Sequence, residues 1–293
     1  MDTLPPLYLS HGSPMTALEP GAAGAFHATL GPAIDRTFGR PRAILAVSAH
    51  TLTREPVLLA APAHPTVHDF YGFPPELYEL RYDAAGAPEL ARRVAALLAD
   101  AGLPVHLADE GGLDHGIWTP LRFAWPEADI PILPMGFPPD WTPAQLMSLG
   151  RALAPLSDEG VLLMASGSIT HNLRMVFAGT AGGRPPVDAP EVEPSAAFRR
   201  WFAEHAQAGH WSALADYRRQ APHAALMHPT DEHLLPFYVA AGAAGADAAS
   251  AAPLAAGVRM HDSVTYGCLG MDAFAFGPSA PRLASALHAG QDA

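Results

Sequence analysis

The sequence predicts one α/β domain with a central, largely parallel or mixed sheet flanked by helices. Three observations predict it. Short continuous apolar runs alternate with helical patterns, as in βα units around a buried sheet. The 293 residues are enough for one large core of that kind. No internal repeat and no clear linker divides them, so the domain is expected over residues 1–277 with a C-terminal tail over 278–293.

The elements follow in order. Leu7–Ser10 is a short strand. The unbroken apolar run of Ala43–Ser48 (AILAVS) marks a strand covered on both faces. Val57–Ala60 and Val105–Leu107 are weaker strands. Between them Pro88–Ala101 is a helix, because Leu90, Val94, Leu97 and Leu98 share one face. A further helix is expected to begin near Trp118. Ile130–Met135 and Val161–Ala165 (VLLMA) are strands. Pro143–Leu153 is a helix capped by Thr142, with proline at its first position. Ser195–Ala208 and Glu232–Gly242 are helical, and Val264–Phe276 is a late strand. Gly179–Pro194 and Gly242–Gly257 are expected as loops, and Pro281–Ala289 as a short peripheral helix in the tail.

Composition removes several chemistries. All 17 residues counted as Lys or Arg are arginine. Without lysine there is no Schiff-base nucleophile, no pyridoxal-phosphate lysine and no P-loop lysine. A net charge of −12 argues against a nucleic-acid partner. The lone Cys268 forbids an internal disulfide and reads as a small buried hydrophobe. The opening MDTLPPLYLSHG lacks the features of a secretory leader. The Ala- and Gly-rich run from Tyr238 to Val258 is too weakly apolar for a membrane span. A soluble cytoplasmic protein is expected, as a monomer or small homo-oligomer. There is no G-x-S-x-G, G-x-G-x-x-G, C-x-x-C or H-E-x-x-H pattern.

Histidine, by contrast, occurs 15 times. His11 follows the strand LYLS, His50 follows AILAVSA, and His171 follows VLLMA through SGSIT. The C-terminal ends of parallel strands lie on one edge, where α/β proteins bind their ligands. These histidines can therefore meet in one pocket, and imidazole suits Zn, Fe, Ni or Cu. A catalytic metal needs about three protein ligands and an open position. His233 in HPTDEHLLPF is placed to supply the third, with Glu232 and His228 as rivals. His115 lies in the glycine-rich stretch GLDHGIW, where it can donate a proton or grip a substrate oxygen. His68, in HDFYGFP, belongs to an aromatic-rich loop suited to covering a pocket. Tyr71, Phe73 and Trp118 can flank an aromatic ring, and Arg81, Arg174 and Arg259 can meet a carboxylate, although surface pairing is the commoner role of an arginine. The other histidines, His27, His64, His106, His205, His210, His223, His261 and His288, are expected at the surface or as satisfied core residues.

HGSP at His11, SAH at His50, HDFYGFP at His68, LDHGIWTPL at His115, SGSITHNLR at His171 and PTDEHLLPF at His233 occur in this order. Together they resemble the DODA-type (4,5-DOPA dioxygenase) family of class III extradiol ring-cleaving dioxygenases, from about Leu7 to Gly277. The resemblance implies metal ligands at His11, His50 and His233. It makes His171 an acid/base or a further ligand, and His115 a second catalytic histidine. His68, Tyr71 and Trp118 are expected to bind the substrate, on the aromatic character of their segments. The resemblance further implies Fe(II) as the active metal, with Zn(II) as a bound alternative, and a small aromatic diol plus O2 as substrates. Such an enzyme opens a catechol ring beside its hydroxyls to give a muconic semialdehyde. Two other classes stand beside it: a zinc-dependent hydrolase and a non-catalytic Memo-like binding protein.

Overall fold

The apolar runs of the sequence become the middle of one sheet in the computed structural model, which describes residues 3–177, 185–250 and 256–289. The first eight strands are β1 (Leu7–Ser10), β2 (Ala43–Leu52), β3 (Val57–Leu59), β4 (Ala63–His64), β5 (Ala84–Ala85), β6 (His106–Ala108), β7 (Ile132–Phe137) and β8 (Val161–Gly167). Four more follow: β9 (Val258–His261), β10 (Val264–Thr265), β11 (Leu269–Gly270) and β12 (Ala273–Ala275). Eight of them pair in the order β6-β3-β7-β2-β8-β1-β12-β9. The centre, β7-β2-β8-β1, is parallel. β3 is antiparallel to β7, and β12 is antiparallel to both β1 and β9. The sheet is therefore mixed, with a parallel heart.

Helices cover both faces. They are α1 (Gly21–Phe38), α2 (Pro75–Glu79), α3 (Pro88–Asp100), α4 (His115–Ala124), α5 (Pro143–Leu153) and α6 (Leu173–Phe177). Then come α7 (Glu193–Ala208), α8 (Trp211–Ala215), α9 (Tyr217–Gln220), α10 (Ala224–Met227), α11 (Pro236–Ala243) and α12 (Ala280–Ala289). Successive strand residues point to opposite faces. Leu45 and Val47 of β2, with Leu163 of β8, pack against α3, α5, α7 and α11. Ile44 and Ala46, with Leu162 and Met164, pack against α1, α4 and α12. A strand buried on both sides has no polar face, which is why AILAVS and VLLMA are unbroken.

α3 and α5 match their predicted ranges closely, and Thr142 with Gln145 forms a reciprocal capping box on α5. Three expectations are corrected. Val264–Phe276 is not one strand: left-handed backbone at Tyr266 and Gly267 (φ 56° and 71°) folds β10 onto β11 as a separate hairpin. The helix expected from Glu232 begins at Pro236, and residues 232–235 form a turn. Pro236 has no N–H to bond back to Glu232, so the turn does not run on as helix. The helix expected near Trp118 begins at His115, because Asp114 caps it and accepts from Ile117 N.

Parts of both predicted loops, residues 179–184 and 251–255, lie outside the described residues, as do tail residues 290–293. Glu193 and Pro194 belong to α7 rather than to the first loop, and Gly242 and Ala243 close α11 rather than opening the second. α12 buries Leu283 and Leu287 against the α1 side of the core. Among the described residues no helix is long and apolar enough to cross a membrane.

Candidate metal centre

β1, β2 and β8 run parallel and deliver their ends to one edge of the sheet. His11 leaves β1 with its backbone N–H bonded to Gly167 O at the end of β8 (3.0 Å). His50 lies in the last turns of β2, beyond the Ser48–Ser166 pairing with β8. His233 comes from the turn before α11. Its carbonyl accepts from Ser168 N (2.9 Å) and from the Tyr8 hydroxyl (3.1 Å), which tie that turn to the sheet. Gly167 is required there: a Cβ on it would stand 2.0 Å from His233 O. α4 closes the other side, and a Cβ on Gly116 would meet Ser48 Oγ at 2.5 Å and His11 Nδ1 at 3.0 Å.

The three imidazoles converge through Nε2. His50 Nε2 lies 3.1 Å from His11 Nε2 and 3.3 Å from His233 Nε2. Nitrogens bound tetrahedrally to one ion at about 2.0–2.1 Å would be roughly 3.3 Å apart. The partners of the opposite ring nitrogens decide where the protons sit. Ser166 Oγ commits its proton to Gly116 O (2.5 Å), so His11 Nδ1 is the donor to Ser166 (2.8 Å). His233 Nδ1 donates to the Glu232 carboxylate (3.1 Å), and His50 Nδ1 faces the Asp69 carboxylate at 3.4 Å. Each Nδ1 thus carries the hydrogen and each Nε2 presents a bare lone pair. Burial, reinforced by the neighbouring histidines, holds His11 and His233 well below the ordinary histidine range and brings His50 down to about 3. Three neutral imidazoles with lone pairs aimed at one point fit a cation.

His115 lies beside this trio. Asp69 accepts from its backbone N–H (2.9 Å) through one oxygen and from its Nδ1 (2.9 Å) through the other. Burial acts to raise the Asp69 carboxyl, but the His115 hydrogen bonds outweigh it and hold the group below the usual carboxylate range. The same oxygen faces His50, so Asp69 links the trio to His115. His171 stacks flat on His233, with ring centres 3.4 Å apart and planes 8° from parallel. Burial, then His228, lowers it to about 4. His171 is not one of the three converging nitrogens; it forms a separate grouping with Glu232 and His233.

A cavity of about 730 Å³ opens over these groups, lined by His50, Asp69, His115, His171 and His233 at its floor. Tyr71 lines its mouth and is 92% exposed. His68 and Trp118 do not line it, contrary to expectation. The Trp118 indole is fully buried and donates to Val67 O (3.0 Å), while His68 Nε2 lies 3.1 Å from Leu80 O. Both rings pack against Phe70, which is the residue that reaches the cavity. Phe73 lines the cavity as expected of a ring-flanking residue. Of the rivals for third ligand, His228 is turned away onto Ile169 O (2.7 Å), and Glu232 stands behind His233 as its hydrogen-bond partner. Sequence reasoning misses Asp69 and Ser166, which hold His115 and His11 by their Nδ1 atoms. Asp69 next to His68 in HDFYGFP carried a signal, since a carboxylate commonly orients a ligating or catalytic histidine. Ser166 carried none beyond lying at a strand end.

The description "Catalytic LigB subunit of aromatic ring-opening dioxygenase" matches residues 5–267. The chain is 38% identical over 240 residues to the 4,5-DOPA dioxygenase extradiol of Beta vulgaris, covering 81% of this chain and 86% of that one. It is 44% identical over 174 residues to the protein of the same name from Escherichia coli (strain K12), covering 59% and 62%. Dioxygenase tasH of Hapsidospora irregularis is 36% identical over 258 residues, covering 83% and 79%. Among solved structures, uncharacterized protein JW3007 from Escherichia coli K12 superposes with a TM-score of 0.69 at 28% identity, covering 94% of this chain and 100% of that one. With the histidines of its sheet edge gathered under one cavity and its sequence matched along most of its length, this chain belongs to the LigB family of aromatic ring-opening dioxygenases.

Proposed function

We propose that the chain binds one divalent metal through Nε2 of His11, His50 and His233 and cleaves a catechol ring beside its two hydroxyls. Both atoms of O2 enter the product, a muconic semialdehyde. The observation that carries this reading is the set of three lone pairs converging at 3.1 and 3.3 Å on the cavity floor. Fe(II) in that position would supply the redox chemistry joining O2 to a catecholate, which Zn(II), having no accessible redox change, does not.

The protein's own groups handle protons and position. With Nδ1–H held by Asp69, His115 offers its bare Nε2 to a catechol hydroxyl and takes that proton. His171, buried and neutral, is the second proton-handling group and serves the opening ring. The flat stack on His233 sets its plane. Phe70 and Phe73 flank the ring on the cavity wall.

The test is anaerobic reconstitution of the full chain with Fe(II), addition of a panel of catechols, and admission of O2. Oxygen uptake with a new yellow semialdehyde absorbance is the expected result. Stoichiometric zinc with no uptake after iron loading would move the reading to a zinc hydrolase or a binding protein.

A further inference from the structure

The cavity over the histidines is larger than a bare catechol needs. Its volume of about 730 Å³ lies within the upper part of the range for small-molecule sites, roughly 300–1,000 Å³. Above the histidine floor the wall is largely apolar, built by Phe70, Phe73, Leu173, Val176, Phe177 and Leu269, with hydroxyls from Ser13 and Tyr266. Phe70 and Phe73 meet edge to face at 5.3 Å, and Phe70 is backed by Tyr78 and Trp118. That side of the wall is therefore fixed by packing. On the other side Phe177 and Leu173 stand 62% and 48% exposed. Large apolar side chains grouped in water at a cavity mouth mark a surface that something apolar covers.

Charge points the same way. Apart from four histidines and two tyrosines, the ionisable side chain of the lining is Asp69, whose two oxygens are taken up by His115. Among the described residues no arginine lines the cavity. Arg81 is turned to the carbonyls of Tyr78 and Leu80, and Arg259 is held by Asp262 and Asp272. Arg174 is exposed and outside the lining. A substrate carboxylate would find no arginine partner among the described lining residues, which is costly away from water.

We propose that the substrate is a catechol carrying an uncharged, apolar substituent, seated against Phe70, Phe73 and Phe177, rather than a catechol amino acid or acid. This rests on the catechol reading above. It departs from the amino-acid catechol in the names of the curated relatives.

The probes are 4-propylcatechol, L-DOPA and 3,4-dihydroxybenzoate. Calorimetric titration of the Zn(II)-loaded full chain gives Kd without turnover, and oxygen uptake by the Fe(II)-loaded chain gives KM. The propyl compound should have both constants lower by about tenfold or more, through burial of its alkyl carbons. Leu173→Arg, an exposed change at the mouth, supplies a counter-charge and should narrow that gap. Equal or tighter binding of L-DOPA or the benzoate, or a gap untouched by Leu173→Arg, would overturn the substrate class while leaving ring cleavage standing. No oxygen uptake with any of the three would remove the ring-cleavage reading, and the substrate class with it.

Discussion

His50 stands at the middle of the trio, within 3.3 Å of both other Nε2 atoms. His50→Ala should reduce bound metal from one per chain to near none and abolish oxygen uptake, with the far-UV circular dichroism unchanged. Retained metal would take His50 out of the ligand set. Asp69 orients His115 through two hydrogen bonds and also faces His50 Nδ1 at 3.4 Å. Asp69→Asn, loaded to one metal per chain, should lower kcat by roughly 10–100-fold, the usual cost of losing an orienting partner. Unchanged kcat would show that His115 needs no such orientation. At this scale the sequence revealed the histidines, because each follows a recognisable strand or sits in a distinctive motif. It hid Asp69 and Ser166, whose roles depend on which ring nitrogen they face. Trp118 shows the converse: its place in a site motif predicts a substrate contact, but it is fully buried and supports Phe70 from behind.

The elements place these residues, and the strand ends do most of it. Hydrophobic runs locate β2 and β8 well, since strands covered on both faces need unbroken apolar sequence. α1 was not anticipated. Its 18 residues include Gly21, Gly24, Gly31 and Pro32, poor helix formers that tertiary packing overrides. Phe26, Leu30, Ile34 and Phe38 repeat every fourth residue and are buried, and that period was the available signal. The turn carrying His233 has a helical sequence pattern, and Pro236 is the signal against helix there. That turn is pinned to β8 across Gly167, where an added Cβ would strike His233 O at 2.0 Å. Gly167→Ala should therefore weaken metal binding by at least about tenfold through displacement of His233, with most helical signal retained. Metal affinity equal to the wild type would show that the turn can shift without moving the imidazole.

Across the whole molecule, the fold keeps several histidines neutral that an unfolded chain would protonate. Burial brings His27 and His50 to about 3 and His171 and His228 to about 4. Their folded values lie below the unfolded value of about 6.5. Below that pH the unfolded chain binds more protons than the native one, so stability falls as pH falls. The contribution is present above about pH 6.5 and is lost progressively toward pH 4 to 3. The Tm of metal-free protein should drop steadily between pH 7 and pH 5, and a flat profile would show that these imidazoles titrate normally. Bound metal should raise Tm at neutral pH by favouring the native state alone, and this gain should shrink as protons compete for the imidazoles. The most direct test of the centre is anomalous diffraction from crystals of the Fe(II)- or Zn(II)-loaded chain. The account predicts one peak, about 2.0–2.2 Å from Nε2 of His11, His50 and His233, at the floor of the cavity. A peak on Glu232 and His171 instead, or no ordered peak from protein carrying one equivalent of metal, would contradict it.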